Sequence, residues 1–208
     1  MRHLPEGELH SRAPGTSPYD LARDDRRYPF ARIFAAAELA SSPETGPDTL
    51  PQLQRALRDP DSAARYWAAL GFLMRGPAAI KAATADLQTL LGDASSYVRI
   101  AAAWALVDSG DVAVAAPALA APALAVLALA VLGEHAPWGK NDVFVSMAAL
   151  TAIDRLGAKA AALHAPAQHW PATGPLPDAR YAPYVPQLIK STAAQAGTAP
   201  PVRKKKKV

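Results

Sequence analysis

Apolar residues recur along this chain at helical spacing. Leu50, Leu53 and Leu57 make one stripe, and Asp59-Pro60-Asp61 ends it, because proline has no amide hydrogen to continue a helix. Ser62 is placed to cap a second helix that turns Ala63, Trp67, Leu70 and Met74 inward and stops at Gly76-Pro77. The same grammar follows with Ile80, Leu87 and Leu91, a turn at Gly92-Asp93-Ala94-Ser95, then Val98, Ala101, Ala102, Ala105 and Leu106 up to Gly110. Upstream, Pro29 opens a helix whose Phe30, Ile33, Phe34 and Ala37 fall at i, i+3, i+4 and i+7, an amphipathic cap for an exposed end. Its exit at Ser41-Ser42-Pro43 to Gly46-Pro47 reads as a linker.

The pattern repeats. At an offset of 34, Leu57, Asp59, Arg65, Ala68, Ala69 and Gly76 recur as Leu91, Asp93, Arg99, Ala102, Ala103 and Gly110. A third copy lies 47 residues after the second, with Val98, Ala101, Ala102 and Gly110 mapping to Val145, Ala148, Ala149 and Gly157. Each unit is a pair of helices joined by a tight turn. One pair cannot bury its own apolar stripe, so neighbouring pairs must stack and share a core.

A turn Asp, an Arg six residues on, and an alanine-rich helix ended by Gly resemble the HEAT repeat family of α-solenoids. The resemblance implies that Asp59 with Arg65, and Asp93 with Arg99, form a structural ladder of hydrogen bonds between adjacent repeats. In the third copy Lys140 and Ser146 occupy the matching positions, so the ladder is expected to stop there. Residues 3–42, HLPEGELHSRAPGTSPYDLARDDRRYPFARIFAAAELASS, followed by RYWAALG and VRIAAAWAL, are similar to the junction and C-terminal helical region of bacterial sulfatases that carry a HEAT extension. That similarity implies a sulfatase catalytic domain as protein partner. The expected fold is all-α: a short α-solenoid of about three HEAT-like hairpins with an N-terminal capping helix and disordered tails.

The expected organisation follows. Residues 1–28 are an extended or loose N-terminal segment, 29–47 the capping helix and linker, and 48–165 the repeats. Residues 166–198 are a proline-rich segment with a short helix around Val185 to Gln195, and 199–208 a basic disordered tail.

Charge sharpens this picture. The chain has 208 residues, 22 Lys+Arg and 18 Asp+Glu, a net charge of +4. Five of the basic residues are Arg203, Lys204, Lys205, Lys206 and Lys207, so the rest carries 22 − 5 = 17 positive against 18 negative charges. The repeats are close to neutral, with 9 Lys/Arg and 11 Asp/Glu over residues 43–170. Nucleic-acid binding is therefore expected at most weakly, through the tail. The tail also resembles a monopartite nuclear-import signal; the alternative is a solvated run that touches anionic surfaces weakly. MRHLPEGELH lacks the apolar stretch of an export signal.

Half of the residues are hydrophobic and none is cysteine, which excludes a wholly disordered chain and any disulfide or thiolate site. Residues 112–132 form an uncharged run of membrane-spanning length, but Pro117 and Pro122 interrupt it and alanine dominates it. The expectation is no membrane span, with Ala123 to Leu132 as the first helix of the third unit.

Chemistry is sparse. Sulfatases need a Cys or Ser within a C/S-x-P-S-R-like motif and Asp, Asn and His ligands for calcium, whereas this chain has no Cys, no x-Pro-Ser-Arg and a single Asn, Asn141. His164 and His169 flank Pro166 five residues apart, a spacing that puts surface-loop residues ahead of a metal pair. Glu134-His135 before Pro137-Trp138 reads either as an acid/base pair or as a turn whose Trp138 covers the core, the second being preferred. Tyr66, Trp67 and Trp104 read as packing residues, with a sugar- or peptide-contacting face as the lesser alternative. No catalytic, cofactor-binding or metal residue is assigned. The expected role is a non-catalytic interaction or accessory module. The alternatives are a free-standing protein-binding scaffold or a HEAT-like enzyme, a lyase or DNA glycosylase.

Overall fold

The computed structural model describes residues 12, 14–21, 23–42, 46, 48–109 and 120–196, so residues 1–11, Gly110 and the basic tail lie outside the described residues. Among the described residues every regular element is helical. In chain order they are α1 (Pro18–Leu21), α2 (Phe30–Ser41), α3 (Thr49–Ala56), α4 (Ser62–Arg75), α5 (Pro77–Ala82) and α6 (Thr84–Leu90). They continue with α7 (Ser96–Asp108), α8 (Ala120–His135), α9 (Val143–Leu156), α10 (Ala161–Ala167) and α11 (Tyr184–Ala194), with 3-10 turns at Gly157–Ala160 and Ala179–Tyr181.

Helices α2, α4, α7, α9 and α11 pack in succession, each on the next. Behind that row α3 lies against α4, α5 and α6 against α7, and α8 against both α7 and α9. Small side chains set the spacing, since Ala63, Ala64, Ala68 and Ala69 of α4 and Ala101, Ala102, Ala103 and Ala105 of α7 are all buried. At Gly71 the approach is closer still: a Cβ there would come 2.7 Å from Leu53 Cδ2 and 3.2 Å from the Cα of Ala40. Interaxial distance follows the size of the side chains at the crossing, so alanine and glycine draw α2 and α4 together. Arg75 then closes this joint. Its guanidinium donates to the carbonyls of Leu39 and Ala40 at 2.8 and 2.9 Å, filling acceptors that the C-terminal turn of α2 leaves open.

Several local expectations change. Asp61, not Ser62, caps α4, its carboxylate accepting the Ala63 amide at 2.8 Å. Within α4, Met74 is 56% exposed while Phe72 is 1% exposed, and Trp67 and Leu70 are half-buried. A helix in the middle of the row is covered by α2, α3 and α7 together, so its buried arc is wider than one stripe and runs through Ala64, Ala68 and Phe72. In α2 the buried positions are Ile33, Ala36, Ala37 and Ala40, whereas Phe30 and Phe34 are exposed and stack on each other at 5.6 Å. Alanine predominates on the face toward α4 because small side chains permit the close approach.

The described residues between 12 and 28 do not stay loose. Arg12 forks onto Asp61 at 2.7 and 2.9 Å, and Leu21 and Tyr28 are buried with Ile33 and Ala63 beneath Trp67. Burial works to raise the Asp61 carboxyl pKa, but the Arg12 fork and the Ala63 and Ala64 amides outweigh it and hold the group below the ordinary carboxylate value. The first helix of the second unit is broken at Ala83, where the Thr84 hydroxyl donates to the Ile80 and Lys81 carbonyls. Helix α8 is longer than Ala123 to Leu132, and Pro122 falls in its first turn, where a missing amide hydrogen costs nothing. Among the described residues no helix is long and apolar enough to cross a membrane.

The arrangement of α4 can be checked by paired substitutions. Phe72→Ala should cost about 3–5 kcal/mol of unfolding free energy and Met74→Ala no more than about 0.5 kcal/mol, both read from urea midpoints at constant slope.

Candidate functional site

The turns that precede α4, α7 and α9 stand at one end of the row, and the arginines of the repeat converge there. Arg65 on α4 reaches the next unit, its Nε and Nη2 donating to the two carboxylate oxygens of Asp93 at 2.7 and 2.8 Å. Its Nη1 turns back to the Asp59 carbonyl at 2.8 Å. Asp59 itself accepts the Asp61 amide at 2.8 Å and lies 3.6 Å from Arg32 of α2. Asp93 likewise accepts the Ser95 amide at 2.8 Å, and Arg99 donates to the Asp93 carbonyl at 3.1 Å. Each Asp thus shapes its own turn while its carboxylate or carbonyl receives an arginine. A forked guanidinium–carboxylate contact is geometrically demanding and charge-assisted.

Arg99 does not end the series, although the third copy has Lys140 and Ser146 in place of Asp and Arg. Its Nε and Nη2 lie 3.2 and 2.8 Å from Nε2 of His135, the last residue of α8. The other ring nitrogen, Nδ1, is 2.7 Å from the Val131 carbonyl. That carbonyl can only accept and Arg99 can only donate, so the proton sits on Nδ1 and the ring is neutral. His135 is 2% exposed, and Glu134 beside it points outward. The Glu134–His135 pair is therefore not poised for acid/base work. Ser146 is buried with a hydroxyl that has no hydrogen-bond partner, and Lys140 is exposed.

Beside this end a slot opens along α7. Its floor is Tyr97, Ile100 and Ala101, its walls are Tyr66 and Leu70 of α4 and Met147, Ala148 and Thr151 of α9, and Trp104 completes it. The cavity is about 280 Å³, and among the described residues no carboxylate, histidine, lysine or arginine lines it. The Thr151 hydroxyl is turned to the Met147 carbonyl at 2.7 Å. Tyr97 also borders a polar cavity of about 480 Å³ at the helix N-termini, lined by Arg12, Arg65, Ser62, Ser96 and Asp142. Tyr66 and Trp104 therefore face a cavity as well as packing, while Trp67 closes the small cluster over Leu21 and Tyr28.

No family model, curated protein or solved structure matches this chain.

The remaining candidates are placed apart. His164 is buried on α10 rather than in a surface loop, with Nε2 lacking a hydrogen-bond partner, and His169 is exposed after that helix. Among the described residues no group of three or more His, Asp or Glu could hold a metal ion. Trp138 is buried, its Nε1 donates to the Pro175 carbonyl at 3.1 Å, and Gly174 lies so close that a Cβ there would come 2.6 Å from the indole. That contact pins the proline-rich segment onto the turn between α8 and α9. Arg203 to Lys207 lie outside the described residues. Arg32 and His135 carry contacts that the Asp/Arg motif did not indicate; for Arg32 the signal was its position 27 residues before Asp59, close to the 28 between Arg65 and Asp93.

Two outcomes follow from the arginine contacts. Asp93→Ala should destabilise by about 3 kcal/mol, because it leaves Arg65 half-buried without its carboxylate, and chemical denaturation will read the loss. Burial, aided by Arg99, holds the His135 pKa below the ordinary histidine value of 6.5, against the raising effects of the Val131 carbonyl and Glu134. Folded His135 thus resists a proton that the unfolded chain takes up, so its contribution is full above pH 6.5 and is lost as pH falls from there through the folded-state pKa. Thermal melts of the wild type should decline across that window and those of His135→Gln should decline less.

Proposed function

We propose that the chain is a non-catalytic interaction module, a short α-solenoid of about three HEAT-like hairpins capped by α2, that holds a protein partner at the slot along α7. The observation that carries this reading is the slot itself. Tyr66, Tyr97, Trp104 and Met147 are the residue types that anchor protein interfaces, and among the described residues the cavity they surround is lined by no carboxylate, histidine, lysine or arginine. The solenoid reading is supported by the serial packing of α2, α4, α7 and α9 and by arginine contacts that recur from one helical pair to the next.

The proposed partner is a sulfatase catalytic domain, on the similarity of residues 3–42 and the repeats to the C-terminal region of such enzymes. The chemistry is assigned to that partner because this chain has no cysteine and a single Asn. Calorimetric titration of the chain with a sulfatase catalytic domain tests the reading. Trp104→Ala or Tyr66→Ala should weaken binding about 30-fold, the effect of losing one buried aromatic anchor. Failure of the wild type to bind removes the sulfatase partner, and turnover of an aryl sulfate by the purified chain above a heat-killed control removes the non-catalytic assignment.

A further inference from the structure

We propose that the slot along α7 is the docking site of a segment of this same chain, Pro200-Pro201-Val202. The first argument is where the described chain stops. Gln195, at the end of α11, donates to the Asp154 carboxylate at 2.9 Å, and Ser191 donates to the same carboxylate at 2.7 Å. Asp154 is one helical turn from Thr151, which lines the slot, and residues three apart on a helix are neighbours about 5–6 Å apart. After Ala196 the sequence reads GTAPPVRKKKKV, so Pro200 follows by four residues, a reach of up to about 14 Å. The tether is short enough to span that gap and holds the segment at an effective concentration of order millimolar.

The second argument is chemical. Pro-Pro-Val is uncharged and its two prolines carry no amide hydrogen, which suits a slot without charged lining. Proline pairs favour the extended polyproline conformation, and aromatic-lined grooves bind it because little ordering entropy remains to be lost. A volume of about 280 Å³ admits a few side chains and leaves the basic run outside.

The third argument is charge. A segment entering beside Thr151 and running toward Tyr97 delivers Arg203 and the lysines to the polar cavity at the helix N-termini. There Arg12 is matched by Asp61 and Arg65 by Asp93, while the Asp142 carboxylate is engaged only by the amides of Phe144 and Val145. Arg99, whose charge neutral His135 does not cancel, balances Asp142 over this end as a whole, so Asp142 is a local acceptor for one arriving cation in a near-neutral cavity. A segment seated in this way competes with any partner for the slot, but its docking is a property of the chain alone and is tested without a partner.

The chain has no cysteine, so one can be introduced beside the docking segment. The full chain carrying Lys204→Cys with a nitroxide label is observed by methyl NMR of Ile100 and Met147 in the slot and of Ile33 in α2. The expected result is several-fold loss of the Ile100 and Met147 signals relative to Ile33, recovered on reduction of the label, unchanged on dilution, and abolished when Pro200 and Pro201 are both replaced by serine. Equal intensity at all three sites overturns the proposal. So does a loss that fades on dilution, which assigns the slot to the tail of a second copy, and so does a loss that survives the serine replacements, which assigns the attraction to charge alone.

Discussion

Arg65 leaves its own helix, crosses to the next pair and closes a fork on Asp93, and the positions of α4 and α7 depend on that crossing. Alanine-faced helices can slide past one another with little change in buried area, because methyl groups present a shallow surface. A guanidinium gripping two carboxylate oxygens permits far less. The same arginine holds the Asp59 carbonyl, so the turn before α4 and the turn before α7 are tied to one side chain. Arg32 beside Asp59 and Arg99 on His135 extend the device toward α2 and α8.

The slot is a consequence of this spacing. With α4 and α9 held on either side of α7, Tyr66, Leu70 and Met147 stand as walls over a floor of Ile100 and Ala101. The imidazole at the third joint makes that joint different from the first two. A carboxylate would attract Arg99 over the whole neutral range, whereas neutral His135 accepts from it only while unprotonated, so the packing of α8 against α7 is the acid-sensitive part of the row.

Much of the helical framework was legible in the chain. Proline and glycine mark the ends of α4, the 34-residue offset relates α4 to α7, and the helix at Val185 to Gln195 is found as Tyr184–Ala194. Side-chain orientation was less legible. The stripe through Trp67, Leu70 and Met74 assumes one buried face, and α4 is covered on three sides. Phe30 and Phe34 were expected on the apolar face because they share the i, i+3, i+4, i+7 spacing of Ile33 and Ala37, yet the tight crossing turns Ala36, Ala37 and Ala40 inward instead. Arg12 is unremarkable in sequence, and only the folded chain brings it to Asp61, across 49 residues.

By itself the sequence determined the helical class, the 34-residue offset, the near-neutral charge of residues 43–170 and the lack of cysteine chemistry, since these follow from local periodicity and residue type. The tertiary structure decided which arginine meets which acceptor, that a histidine stands where the motif offers a lysine, and that Tyr66, Tyr97 and Trp104 share one cavity. These are relations between helices, and they depend on crossing angle and distance. Those two quantities are set by the packing of many small side chains at once, which no single spacing along the chain encodes.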